Sequence, residues 1–180
     1  MNLYVNEILE DPNSQKKHRV LWIDEGNVMA YLIDIFDERA LPFIKSVREI
    51  KEEILRGELI KTKDDPFLNL ITAKDLPDKY VELRDQAWNV IKEMVKNEPQ
   101  IFEKNVRSSL TREAMEKYNV TYPAIRKYLR KYWQRGKTMN SLLPDYANSG
   151  GKGKERKPGE KKRGRPRKYL STGKRQIEYT

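Results

Sequence analysis

Two short stretches hold residue types that could do chemistry. The first is "TYPAIRKYLRKYWQRGK", Thr121 to Lys137, in which Arg126, Lys127, Arg130, Lys131, Arg135 and Lys137 occur with no acid among them. The second is "KKRGRPRKY", Lys161 to Tyr169, where a Gly-Arg-Pro core sits among basic residues. Clustered Lys and Arg favour a polyanion, because neutralising phosphates releases condensed counterions. In the second stretch Pro166 biases Arg165 towards an extended backbone, and Gly164 lacks a side chain that would meet groove walls. Arg163, Gly164, Arg165, Pro166, Arg167 and Lys168 can therefore follow a narrow minor groove, whose negative potential attracts Arg. The plainer readings are a solvated helix face and a low-complexity tail that binds any polyanion.

Charge distribution supports a nucleic-acid partner. Net charge is +10 over 180 residues. From Ala147 to Arg175 there are twelve Lys and Arg against two acids, whereas the first 146 residues hold twenty-five basic and twenty-four acidic residues. No run approaches the roughly 18 apolar residues of a membrane span, the basic tail has no apolar face to insert, and the acidic start lacks an apolar signal core. A cytoplasmic, nucleoid-associated protein is expected, with no membrane partner. The absence of cysteine excludes a disulfide scaffold and a thiolate zinc finger.

Other chemistries lack their residues. His18, alone in a polar arm, reads as a free surface histidine, and Asp34, Asp37 and Glu38, or Asp64 and Asp65, read as solvated turn acids rather than metal ligands. No glycine-rich phosphate loop precedes a helix. Neither a catalytic set nor a metal site is expected.

The positioning elements follow from periodicity. Residues 1–18 read as a flexible arm. In "RVLWIDEGNVMAYLIDI", Arg19 to Ile35, two β-rich runs flank Glu25, Gly26 and Asn27, a hairpin pattern. Ser46 with Glu49 forms a capping box ahead of a helix that turns Val47, Ile50, Ile54 and Leu55 inward and ends at Gly57. Leu59 to Lys61 can return as a strand. Residues 19–63 thus read as a small α+β domain and 64–80, broken by Pro66 and Pro77, as a linker.

Residues 81–137 read as a helical domain. Leu83, Ala87, Ile91, Met94 and Val95 recur at helical spacing, and a further helix can begin at Pro99 with Ile101, Phe102 and Val106 inward. Two helices then surround a tight turn at Tyr118 to Val120, where Asn119 can take the left-handed conformation. In the last helix Thr121 is placed to cap and Pro123 suits the first turn. Ile125, Leu129, Tyr132 and Trp133 form its buried stripe. As a helix-turn-helix this would present Thr121, Tyr122, Arg126, Lys127 and Arg130 to base edges, with Lys131, Arg135 and Lys137 on the DNA backbone. Residues 138–180 read as a disordered basic tail. The fold class is mostly α, with a small α+β N-terminal domain and a helix-turn-helix bundle.

These stretches resemble a known family. "RVLWID", "DERALPF", "RDQAWNVI", "NVTYPAIRKYLRKYWQRG" and "NSLLPDYANSGGKGKERKPGEKKRGRPRK" together are similar, in order, to the amino-terminal part of TnsB-like transposases, bacterial DDE transposases related to phage Mu transposase and retroviral integrases. The similarity runs from about Arg19 to Lys168. Where the family tends to have Gly-Val-Ser before the recognition helix, Asn119, Val120 and Thr121 stand here. The resemblance implies sequence-specific binding of double-stranded DNA at transposon ends. It also implies self-association on DNA and other transposition proteins, such as a regulatory ATPase, as partners. The family's Mg2+-binding carboxylates belong to a following catalytic domain with no counterpart before Thr180, so no cofactor and no enzymatic activity are expected of this chain. A stand-alone helix-turn-helix transcription regulator with an AT-hook-like tail is the alternative.

Overall fold

The hairpin is the clearest local signal, and the computed structural model, which describes residues 2–71 and 76–145, contains it. Strands β2 (Lys17–Ile23) and β3 (Met29–Asp34) pair antiparallel. Asp24 closes their turn, its Oδ1 accepting from the backbone N–H groups of Val28 and Met29 at 2.7 and 2.6 Å. Asn27 takes the left-handed backbone, φ 54°, that Asn tolerates. Along β3, Ala30 and Leu32 face one way, and Tyr31 and Ile33 the other. A bulge between Val20 and Trp22 interrupts that alternation in β2, so Leu21 and Trp22 share a face.

Strands β1 (Ile8–Glu10), β4 (Phe43–Ser46) and β5 (Ile60–Thr62) complete an antiparallel five-stranded sheet in the order β4-β3-β2-β1-β5. Residues 1–18 are therefore not a free arm. Leu3, Ile8 and Leu9 are buried, and β1 lies between β2 and β5. Two apolar neighbours are too short a run to show a period, and their partners are distant in sequence. His18, expected free in that arm, lies in β2 with its ring edge-on to Phe43 at 5.5 Å. Burial pushes its imidazole below the ordinary value, ahead of the opposing pull of Asp34.

Helix α1 (Val47–Leu55) starts at Ser46, whose Oγ accepts from the Arg48 N–H, and ends before Gly57 at φ 75°. Val47 and Ile50 pack with Leu9, Val20, Ala30 and Leu32 on one face of the sheet. Leu55, expected inward, is 81% exposed because the helix is in its last turn there.

The other sheet face meets the helices. Helix α2 (Leu68–Ile71) is one turn long, and α3 (Asp78–Val95) buries Ala87, Val90, Ile91, Met94 and Val95, whereas Leu83 reaches solvent. After a 3-10 turn at Gln100–Phe102 come α4 (Lys104–Tyr118), α5 (Tyr122–Gln134) and a second 3-10 turn at Met139–Leu142. Ile101, Phe102, Ala114, Ile125, Leu129 and Trp133 form one core with Leu21 and Ile33 of the sheet. Sheet and helices therefore belong to one unit, and Asp65 and Phe67, in the stretch expected as a linker (64–80), make contacts within it.

Arg19 joins the parts. It is 1% exposed; its Nη2 donates to both Asp65 oxygens at 2.9 Å, and its Nε donates to the backbone oxygen of Gln134 at 3.0 Å. Gln134 in turn donates through Nε2 to the carbonyls of Asp34 and Asp37, both at 2.8 Å. A buried charge is tolerated where it is paired and its donors are satisfied. The end of α5 is thereby held against the sheet.

Candidate nucleic-acid interface

Helices α4 and α5 are joined by Asn119, Val120 and Thr121. Asn119 caps α4 in the left-handed conformation, φ 50° and ψ 43°, as its residue type suggests. Thr121 stands at the N-cap of α5 with an extended backbone, but its side chain makes no capping bond; Pro123 lies in the first turn. Ile125, Leu129, Tyr132 and Trp133 are buried, as their spacing predicts, and Gln134 joins them. One side of α5 is thus fixed in the core, and the remainder is set by the helical repeat.

The cations of α5 divide into two groups. Thr121, Tyr122 and Lys127 are exposed, and Arg126 and Arg130 are half-buried. Arg126 lies over the Tyr122 ring, 5.7 Å from its centroid. None of Arg126, Lys127 and Arg130 pairs with an acid among the described residues, so their charge is presented outward.

The second group is spent inside the molecule. Lys131 and Arg135 both reach Asp145, at 2.9 and 2.6 Å, with side chains only 14% and 12% exposed. Both also donate to the carbonyl of Leu143, and Arg135 lies over the Phe67 ring. Lys137 pairs with Glu98 and donates to the Leu21 carbonyl at 3.0 Å, while Trp133 Nε1 donates to the other Glu98 oxygen. Lys131, Arg135 and Lys137, expected on the DNA backbone, are each paired with a carboxylate from another element in the fold.

Electrostatics agree with that division. Burial lowers the Lys131 ammonium pKa, with Asp145 opposing. Burial alone would raise the Asp145 carboxyl, but the Lys131 hydrogen bond and the Arg135 charge outweigh it and hold the group below the usual carboxylate value. The acid-free stretch looked uniformly available because Glu98 and Asp145 lie outside it in sequence. "LLPDY" was the one visible signal, since Leu142 and Leu143 are buried and bring Asp145 under α5. Arg107 on α4 was not singled out from sequence; it is half-buried, and its Nη1 donates to the carbonyls of Ile101 and Phe102.

Arg163, Gly164, Arg165, Pro166, Arg167 and Lys168, and the tail assigned to 138–180 beyond Asp145, lie outside the described residues. No helix among the described residues is long and apolar enough to cross a membrane.

Comparison with known proteins matches two successive parts of the chain. Residues 2–66 match a family model described as the TnsB N-terminal SH3-like domain, and residues 84–146 match the TnsB second domain. The chain is 32% identical over 167 residues to the Transposon Tn7 transposition protein TnsB of Escherichia coli. That alignment covers 92% of this chain and 23% of the relative, so the chain spans about a quarter of the relative's length.

Proposed function

The chain belongs to the TnsB family through residues 2–66 and 84–146, and on that premise we propose that it binds transposon-end DNA as the amino-terminal, DNA-binding part of a transposase. The observation that carries this reading is the charge of Arg126, Lys127 and Arg130, which pairs with no acid among the described residues, on a helix whose opposite side is locked in the core. In this account α4, the Asn119 turn and α5 act as a helix-turn-helix. The first turns of α5 enter the major groove, with Thr121, Tyr122, Arg126, Lys127 and Arg130 on the groove side. The Arg19 and Gln134 connections give α5 a fixed orientation relative to the sheet, which sets its approach to the duplex.

The basic tail supplies a second grip. Arg163 to Lys168 follow an A·T-rich minor groove and add affinity with little further sequence choice. Linking two weak contacts raises the local concentration of each, so the pair exceeds either alone. Self-association on neighbouring end sites, a regulatory ATPase partner and nucleoid association complete the proposal. We assign end binding to this chain and no strand chemistry.

Footprinting on element-end duplex at several salt concentrations, with and without residues 150–180, tests the reading. A discrete footprint that survives added salt, and needs higher protein concentration without the tail, is the expected result. Protection with no preferred position at any salt contradicts it.

A further inference from the structure

The sheet face that carries α1 is only partly covered. Helix α1 is nine residues long and buries Val47 and Ile50 against it. Register sets His18 opposite Leu9 and Phe43 opposite Leu32, and directly opposed residues point to the same side of a sheet, so these four share the face with α1. They line an open cleft of about 360 Å3 beside the later turns of α1, a volume at the small end of ligand sites. Leu9 and Leu32 close its floor, 0% and 2% exposed, and the His18 and Phe43 rings meet edge to face at 5.5 Å in its wall. The helices pack on the other face of the sheet, so the contacts of α5 do not involve this cleft.

The charge of the cleft is one-sided. Asp11, Glu53 and Glu58 line it with one lysine, Lys45. That lysine is already engaged, its Nζ donating to both Glu53 oxygens at 2.6 and 2.5 Å. His18, which burial pushes below its ordinary value, is neutral at neutral pH and adds no cation. Glu58 pairs with Arg56 on the exposed surface. Asp11 pairs with no cation among the described residues. Its oxygens accept from the Ser14 hydroxyl at 2.6 Å and from the N–H groups of Asn13 and Ser14 at 2.9 and 3.2 Å. The hydroxyl first, and the N–H groups after it, hold this carboxyl below the usual value and so keep it ionised. An apolar cleft thus ends at a carboxylate that has no counter-ion.

Three carboxylates repel phosphate, which sets nucleic acid aside as the occupant. Apolar walls with an anion at one end suit a Lys or Arg side chain, whose methylene stem packs on carbon while its head stays with the charge. The mouth is apolar too, since Phe43 is 40% exposed and Leu59 half-buried. A residue joined to the cation covers these two, whereas a free polyamine leaves them wet. We propose that this cleft docks a partner protein through an extended segment, with one Lys or Arg side chain set against Asp11 and an adjacent apolar residue on Phe43. The site goes beyond DNA binding and stands whether or not α5 reads bases.

His18 is the chain's single histidine, and its imidazole NMR signals supply the readout. The 180-residue chain is titrated with acetyl-Leu-Arg-Leu-amide, with acetyl-Leu-Glu-Leu-amide and with spermidine. The arginine peptide is expected to shift the His18 signals saturably, spermidine to bind more weakly and the glutamate peptide to give no saturable shift. Asp11→Asn, whose amide oxygen still accepts from Asn13 and Ser14, weakens the arginine peptide about fivefold, the loss of one partly exposed charge-assisted hydrogen bond. No saturable shift with the arginine peptide, or equal affinity for the two peptides, overturns the site. So does an Asp11→Asn chain with the wild-type melting temperature and unchanged affinity. Should that variant melt lower, Glu58→Gln takes its place: a loss of about twofold supports the site, and unchanged affinity overturns it. Spermidine binding as tightly as the arginine peptide overturns the polypeptide occupant. Random duplex leaves the peptide in place, and its displacement by duplex would give the cleft to DNA and overturn the assignment.

Discussion

On α5 up to Arg130, Arg126, Lys127 and Arg130 meet no carboxylate among the described residues; after it, Lys131 and, at the C-cap, Arg135 share Asp145, and Lys137 just beyond meets Glu98. Residue types are nearly the same in the two groups. The difference comes from elsewhere in the chain, because the acids arrive from the connection before the Gln100–Phe102 turn and from the segment after Met139–Leu142. A basic helix is therefore not a uniform electrostatic surface. The group from Lys131 onward is a structural joint, and the group up to Arg130 pairs with no acid among the described residues.

That contrast breaks first at Arg19, which anchors the joint through the Gln134 carbonyl and Asp65. Arg19→Met leaves Asp65 unpaired in a largely buried setting, and removal of one partner from a buried pair costs about 3–5 kcal/mol. Urea unfolding of Arg19→Met should show that loss in the midpoint. Lys127→Ala, on the open half, should stay within about 0.5 kcal/mol of the wild type.

Asp145 sharpens the contrast more gently. The pair is partly exposed, so Asp145→Asn should cost less than about 1 kcal/mol in stability. Its effect on binding is clearer. With Asp145 neutralised, Lys131 and Arg135 lose their carboxylate as Arg126, Lys127 and Arg130 lack one, and the salt slope for random duplex should steepen while the end-to-random ratio stays put. The pH dependence has a definite sign. The Asp145 carboxyl is lowered in the fold, so its stabilisation is complete above the unfolded value of about 4 and is lost as pH falls through the lower folded value. Acid unfolding of Asp145→Asn should lack that component, which a pH series of melting temperatures would show.

The joint also explains which parts of the molecule were legible in the sequence. The β2–β3 turn, the left-handed Asn119 and the Ile125, Leu129, Tyr132 and Trp133 stripe are local features, set by residues within a turn or two of one another. Their physics is contained in the stretch that displays it. Ile8 and Leu9 were missed because their burial depends on pairing with β2 and β5, the latter about fifty residues away. The pairing of Lys131, Arg135 and Lys137 was not legible for the same reason, since their partners lie outside the helix. Leu55 and Leu83 follow the apolar spacing yet reach solvent, because periodicity marks a face and neighbouring elements decide how far it is covered. The distinction between free and spent charge is tertiary, and no helical pattern carries it.

The most direct measurement is the affinity ratio between element-end and random duplex for the wild type, Lys127→Ala with Arg130→Ala, and Lys131→Ala with Asp145→Ala, all at one salt concentration. Each good base contact contributes about 1–3 kcal/mol of discrimination. The account predicts that the first double variant brings the ratio close to one, with its melting temperature unchanged, and that the second leaves the ratio intact. An unaltered ratio in Lys127→Ala with Arg130→Ala, or its collapse only in the second pair, would contradict the assignment of DNA reading to the stretch of α5 up to Arg130.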